Sequence, residues 1–291
     1  MGVAFVLSGG GSLGAIQVGM VQALYERAIA PDTIAAASAG ALNGAFLASR
    51  PATSATADRL AEVWSDLDTG DVFPFNPLTA FLGAVGCRDH LVSSRKLRSL
   101  IEEWIELDDF GDARIPLHVI ATDLLNGDEL RLSSGPVTSA VLASAALPGV
   151  FPLVRRDGRV LVDGGVTNNT PLSHAIALGA RKIYVLPTGY TCALDKPPRG
   201  ALGVALQSLN VLIQQRLVVD IERVPTSIEL VVLPPLCPLD VVPVDLSRSE
   251  ELIRRSREQS RQFLDNLPDE RHVVPELMRR AVHPHADARR G

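Results

Sequence analysis

The sequence predicts an α/β protein with a central, mainly parallel β-sheet that carries helices on both faces. Two stretches near the N-terminus predict it. The apolar run Val3–Leu7 ends in glycines and opens a stretch of helical period, and the run Thr33–Ala37 ends at Ser38 and does the same. Successive strand–turn–helix units require a parallel sheet, because each helix crosses back over a face before the next strand begins. Composition is the third observation: 46% of the 291 residues are apolar and 21% are charged, enough for a sizeable core and against a long unstructured tract.

Taken in order, Ile16, Val18, Met20, Val21 and Leu24 place the first helix over Ala15–Ala28, and the second unit gives a helix over Ala39–Leu47. Between Arg50 and Arg114 the alternation loosens. A helix over Ala55–Leu67, the Pro/Phe segment DVFPFNPLTAFLGAVG and an amphipathic helix over Ser94–Ile105 read together as an insertion, residues 50–115. The sheet resumes with strands Pro116–Ala121 and Glu129–Leu132, followed by a helix over Val137–Ala146 that stops before Pro148. Asp157-Gly158 is the favoured pair for a two-residue hairpin turn, and the second arm, Arg159–Val162, runs into Asp163-Gly164-Gly165. A helix over Pro171–Leu178 with Gly179 as its stop, a strand Lys182–Leu186, a helix Leu202–Val218, a strand Ser227–Leu233 and a charged helix Ser249–Leu264 complete the pattern. The reading is one domain over residues 1–284 with a flexible tail, 285–291.

Gly9, Gly11 and Gly14 satisfy G-x-G-x-x-G between a strand and a helix, the setting of a dinucleotide fingerprint. That fingerprint also needs an acidic residue at the end of the second strand to hold a ribose hydroxyl. Here Asp32 precedes the strand, and its end is Ala37-Ser38-Ala39-Gly40, so a dinucleotide-dependent oxidoreductase is disfavoured. Ser38 instead lies one residue from the nucleophile-elbow pattern G-x-S-x-G, with the small residues Ala36 and Gly40 letting strand and helix cross closely. The same serine also reads as a helix N-cap, worth about 1 kcal/mol. An acyl-transfer nucleophile needs backbone N–H donors around the developing oxyanion, and the bare backbone of Gly9, Gly10 and Gly11 supplies candidates. Asp163 is the candidate base, with Gly164 and Gly165 leaving its carboxylate free to approach another loop; an Asp-Gly-Gly also reads as a simple turn.

Four stretches, in this order, carry a resemblance: LSGGGSLGA at 7–15, ASAGALNG at 37–44, ASAALPGVFP at 143–152 and VDGGVTNNTPL at 162–172. With them the chain resembles the patatin-like phospholipases over most of residues 3–190. The resemblance implies a three-layer fold and hydrolysis of acyl ester bonds in phospholipid, lysophospholipid or neutral lipid. It implies a dyad of nucleophile Ser38 and base Asp163 without histidine, an oxyanion hole at Gly9, Gly10 and Gly11, and no cofactor or metal. Two positions depart from the pattern. Ala36 replaces the usual first elbow glycine, and Leu13 stands where many members carry Arg or Lys, which favours a neutral ester.

A Ser-Asp-His triad would draw on His174, His272, His283 or His285, which read as surface, packing or tail residues, while His118 reads as a core residue. Phe73, Phe75, Leu78, Phe81 and Leu82 read either as a cover over an acyl chain, touching a membrane surface, or as closure of the core. A non-catalytic lipid-binding module is the second functional class. The net charge of −5 excludes a general affinity for nucleic acid. Cys87, Cys192 and Cys237 lack metal or disulfide spacing, and no calcium-loop pattern is present. Neither a signal peptide nor an apolar stretch of the ~20 residues that span a bilayer is recognisable, so the expected location is cytoplasmic, with peripheral membrane contact.

Overall fold

The computed structural model describes residues 2–74, 77, 79, 82, 87–189, 197, 200–237, 239 and 244–279. Phe75, Leu78, Phe81, Cys192, His283, His285 and the expected tail lie outside them. The strands are β1 (Val3–Leu7), β2 (Thr33–Ala37), β3 (Leu117–Asp123), β4 (Glu129–Leu132), β5 (Val154–Arg156), β6 (Arg159–Asp163), β7 (Lys182–Leu186), β8 (Glu229–Val232) and β9 (His272–Val273). They pair in the order β5-β6-β3-β2-β1-β7-β8-β9, with β4 also on β3. Every pairing is parallel except the three that involve β4, β5 and β6.

The helices are α1 (Gly14–Tyr25), α2 (Ala39–Ala48), α3 (Ser54–Ser65), α4 (Thr69–Val72), α5 (Arg95–Trp104), α6 (Val137–Ser144), α7 (Gly165–Asn168), α8 (Leu172–Ala177), α9 (Gly200–Glu222) and α10 (Ser249–Asp265). Alternation along the strands explains the layers. Phe5, Leu7, Tyr184 and Leu186 turn to one face and pack with Met20, Leu47, Leu60, Ile101 and Leu252. Ala4, Val6, Ile183 and Val185 turn to the other and pack with Leu172, Ala175 and Leu217. Helices therefore cover both faces, the expected three-layer α/β architecture, which is why these strands are apolar at nearly every position. The hairpin turn is as expected: Asp157 and Gly158 both take φ > 0. The first helix ends three residues early, where Ala28 takes φ 54, and α9 runs longer than its expected span.

One feature of the sheet brings the two candidate loops together. Val119 pairs with Ala36 of β2 and Leu132 of β4, so those strands flank β3 on opposite sides. Ala121 pairs with Leu130 of β4 and Asp163 of β6, so β6 lies on the same side as β2. The β2 pairing ends at Ala37–Ile120, and the β6 pairing begins one residue on, at Ala121–Asp163. Because β6 runs opposite to β3, the C-terminal ends of β2 and β6 meet head to head along one edge of β3. Ser38 follows one end and Asp163 is the other.

Candidate active site

Ser38 turns the chain from β2 into α2 with φ 52 and ψ −124, a conformation that costs a non-glycine residue of order 1–3 kcal/mol and persists only where the surroundings enforce it. It occupies the N-cap position of α2, yet its side chain makes no capping hydrogen bond. Its Oγ donates instead to Asp163 Oδ2 at 2.6 Å. The close strand–helix crossing that this needs rests on Gly40, where a Cβ would lie 2.4 Å from the carbonyl oxygen of Leu7. Ala36 lies beneath α2 opposite Gly44, where a Cβ would lie 3.2 Å from that of Ala36, a tight contact rather than a clash.

Asp163 is 4% exposed. Burial raises its carboxyl from 3.8 to about 6, against the opposing pull of hydrogen bonds from Ser38 and from the N–H of Gly165, which reaches Oδ1 at 2.7 Å. Gly164 lets the loop lie on β3, since a Cβ there would be 2.2 Å from the carbonyl oxygen of Ile120. Thr122 Oγ1 donates to the Asp163 carbonyl at 3.0 Å.

The end of α6, to which the sequence assigns no role, joins these two. The Oγ of Ser144, fully buried at the end of α6, accepts from the Ser38 N–H at 2.8 Å and donates to the Ile120 carbonyl at 2.5 Å. The Ser144 carbonyl accepts from the Gly164 N–H at 3.3 Å. Ser144 thus touches the elbow, β3 and the acid loop at once. Its only sequence signal is its place in ASAALPGVFP.

The glycine loop requires a correction. The Gly9 N–H donates to the carbonyl of Asn169 at 3.0 Å, so it is not a free donor. The Gly9 carbonyl accepts from Thr188 Oγ1 at 2.6 Å and from Asn169 Nδ2 at 3.2 Å. Among the described residues, the N–H groups of Gly10 and Gly11 have no hydrogen-bond partner, and both residues line the same cavity as Ser38. Gly11 takes φ 59, and a Cβ on Gly10 would lie 2.2 Å from Thr188 Oγ1, so the bare backbone at both positions has a steric reason.

No histidine among the described residues hydrogen-bonds to Ser38 or Asp163. His174 Nε2 pairs with Glu129 Oε1 at 2.6 Å, His272 Nε2 meets the Ile228 carbonyl at 3.1 Å, and His118 Nδ1 meets Ser133 Oγ at 2.7 Å. Burial pushes the His118 ring down to about 4. Among the described residues no group of three His, Cys, Asp or Glu side chains could hold a metal ion.

Ser38 and Asp163 open into a cavity of about 600 Å³. Trp64, Leu67, Phe73, Leu97 and Trp104 from the 50–115 region line it, with Phe73 stacked on Phe151 at 5.4 Å between ring centres. Ile213 and Leu217 of α9 line it as well. Asp163 is the one ionisable side chain among the described residues of the lining. Such a space suits an alkyl chain presented to the half-buried Ser38 and the buried Asp163.

A family profile described as Patatin-like phospholipase matches residues 5–176. Patatin-like phospholipase domain-containing protein 7 of Mus musculus is 30% identical over 193 residues, which cover 64% of this chain and 14% of that protein. Lysophospholipase NTE1 of Mycosarcoma maydis is 28% identical over 225 residues, covering 74% of this chain and 11% of that protein. The chain thus corresponds to a small part of the length of these relatives. The crystal structure of VipD from Legionella pneumophila aligns with a TM-score of 0.45 at 15% identity, covering 91% of this chain and 66% of that one.

Proposed function

Because this chain belongs to the patatin-like phospholipase family, we propose that it hydrolyses acyl esters of lipids through the dyad of Ser38 and Asp163. The 2.6 Å hydrogen bond from Ser38 Oγ to the buried carboxylate of Asp163 carries this reading. As Oγ bonds to the ester carbonyl carbon, its proton passes to Asp163 Oδ2, and the N–H groups of Gly10 and Gly11 hold the oxyanion. Collapse breaks the bond to the alcohol, which leaves with the proton from Asp163. Water then gives its proton to Asp163 as it attacks the acyl-enzyme, and on collapse the C–Oγ bond breaks, Ser38 Oγ takes that proton back from Asp163, and the fatty acid leaves.

The acyl chain occupies the apolar cavity. Leu13 lines it where many members carry a basic residue, and no Lys or Arg is present among its described lining residues, so a neutral ester or a lysophospholipid with its headgroup outside is the substrate class. A fluorophosphonate probe tests the dyad. Wild type is expected to label and Ser38→Ala is not; folded wild type that binds lipid without labelling would support the lipid-binding module instead.

Among the described residues no helix is long and apolar enough to cross a membrane. The rim of the cavity supports peripheral contact with a lipid aggregate: Val166 and Val244 line the cavity while 42% and 38% exposed. Val244→Asp is expected to lower hydrolysis of long-chain lipid in vesicles by about tenfold, the loss of roughly one buried valine's contribution. A soluble short-chain ester should be cleaved as before. Equal loss on both substrates would count against surface docking.

A further inference from the structure

We infer that Asn169 is a positioning residue that aims the oxyanion donors from the acid loop. This rests on the hydrolase reading above. α7 carries the chain directly from Asp163-Gly164 to Asn169, and Asn169 reaches across 160 residues to hold Gly9 by both ends. Its carbonyl takes the Gly9 N–H at 3.0 Å, and its Nδ2 donates to the Gly9 carbonyl at 3.2 Å.

The consequence follows from peptide geometry. In a trans peptide the C=O and the next N–H point in opposite directions within one plane. Fixing the Gly9 carbonyl towards Asn169 and Thr188 therefore turns the Gly10 N–H the other way. The Gly10 carbonyl is held in turn by the Leu13 N–H at 3.2 Å, which orients the Gly11 N–H by the same rule. The contact is too close for any side chain: a Cβ on Gly9 would lie 2.3 Å from Asn169 Oδ1 and 2.8 Å from Ser38 Cβ. Base and oxyanion donors thus belong to one hydrogen-bonded body, so the donors are in place before charge develops, as preorganised catalysis requires.

Asn169→Ala removes one of two side-chain bonds to the Gly9 carbonyl and leaves the bonds of Asp163 to Ser38 and Gly165 in place. It is expected to lower kcat about 10- to 100-fold on a soluble short-chain ester, somewhat less than the ~10²–10³-fold for deleting an oxyanion donor outright. Asn169 and Thr188 also line the cavity, so KM is expected to rise by much less than kcat falls, and the acid limb of the pH profile should keep its midpoint, because the base is untouched. Thr188→Val, which deletes the other bond to the same carbonyl, should give the same signature and keeps the inference testable if Asn169→Ala does not fold. An unchanged kcat, or a fall accompanied by a moved midpoint or a matching rise in KM, overturns it. Ser38→Ala run alongside separates the two failures. Wild-type activity that is lost in Ser38→Ala but indifferent to Asn169→Ala sinks this inference alone, whereas activity that survives Ser38→Ala sinks the hydrolase reading and this inference with it.

Discussion

Asp163→Asn is expected to lower kcat by about 10²–10⁴-fold, the contribution of a positioned general base, and at the same time to raise Tm at pH 7. The first effect follows because the amide cannot take the Ser38 proton; fluorophosphonate labelling should be lost with it. The second follows from burial. The folded-state carboxyl titrates near 6 against 3.8 for the free group, so folding favours its protonated form. The stability this gives is fully present below the ordinary carboxylate value and is lost as pH rises through about 6. At neutral pH the ionised group therefore costs the fold up to about 3 kcal/mol, which the neutral amide avoids. The Tm difference between variant and wild type should shrink as pH falls below about 5. The wild-type acid limb of kcat should rise through a midpoint near 6, as the carboxylate becomes available to accept the proton. A variant less stable than wild type at pH 7, or a rising limb near 4, would contradict the burial of the base.

The parts of this site that could be read from the sequence are those in which a residue stands at the end of an apolar run. Ser38 and Asp163 do so, each beside glycines or alanines, and β1, β2 and β7 are legible because both faces of the sheet are covered. Strand direction is less legible. An apolar run carries no arrow, so nothing in Arg159–Val162 announces that β6 lies antiparallel and meets β2 end to end. The three consecutive glycines are alike in sequence, and only the bond to Asn169, 160 residues on, shows that Gly9 has its N–H committed while Gly10 and Gly11 do not. Ser144 and Asn169 act through main-chain groups of distant loops, which leave no spacing pattern. Their signal was their presence, with no role given, inside two of the four stretches that carry the family resemblance.

Gly40→Ala is expected to lower both Tm and kcat, whereas Gly44→Ala, one turn further along the same helix, should leave both nearly unchanged. Each change gains roughly 1 kcal/mol of helix propensity, so the difference between them isolates packing. At Gly40 the new methyl would meet the Leu7 carbonyl oxygen at 2.4 Å and the Ser8 carbonyl oxygen at 2.7 Å, main-chain atoms that cannot turn aside. Overpacking of this kind costs about 1–3 kcal/mol or more. At Gly44 the neighbours are the side chains of Ile34, Ala36 and Leu117 at 3.1–3.3 Å, which need to give only by tenths of an ångström. The activity effect has a separate origin. Leu7 and Ser8 lead into the glycine loop, so α2 pushed off the end of β1 displaces Ser38 and the oxyanion donors relative to one another. A shift of the order of 1 Å between reacting groups costs about 10²-fold in rate. If Gly40→Ala lost stability but kept its full kcat, the elbow and the glycine loop would be mechanically independent, and the common framework proposed for them would fail.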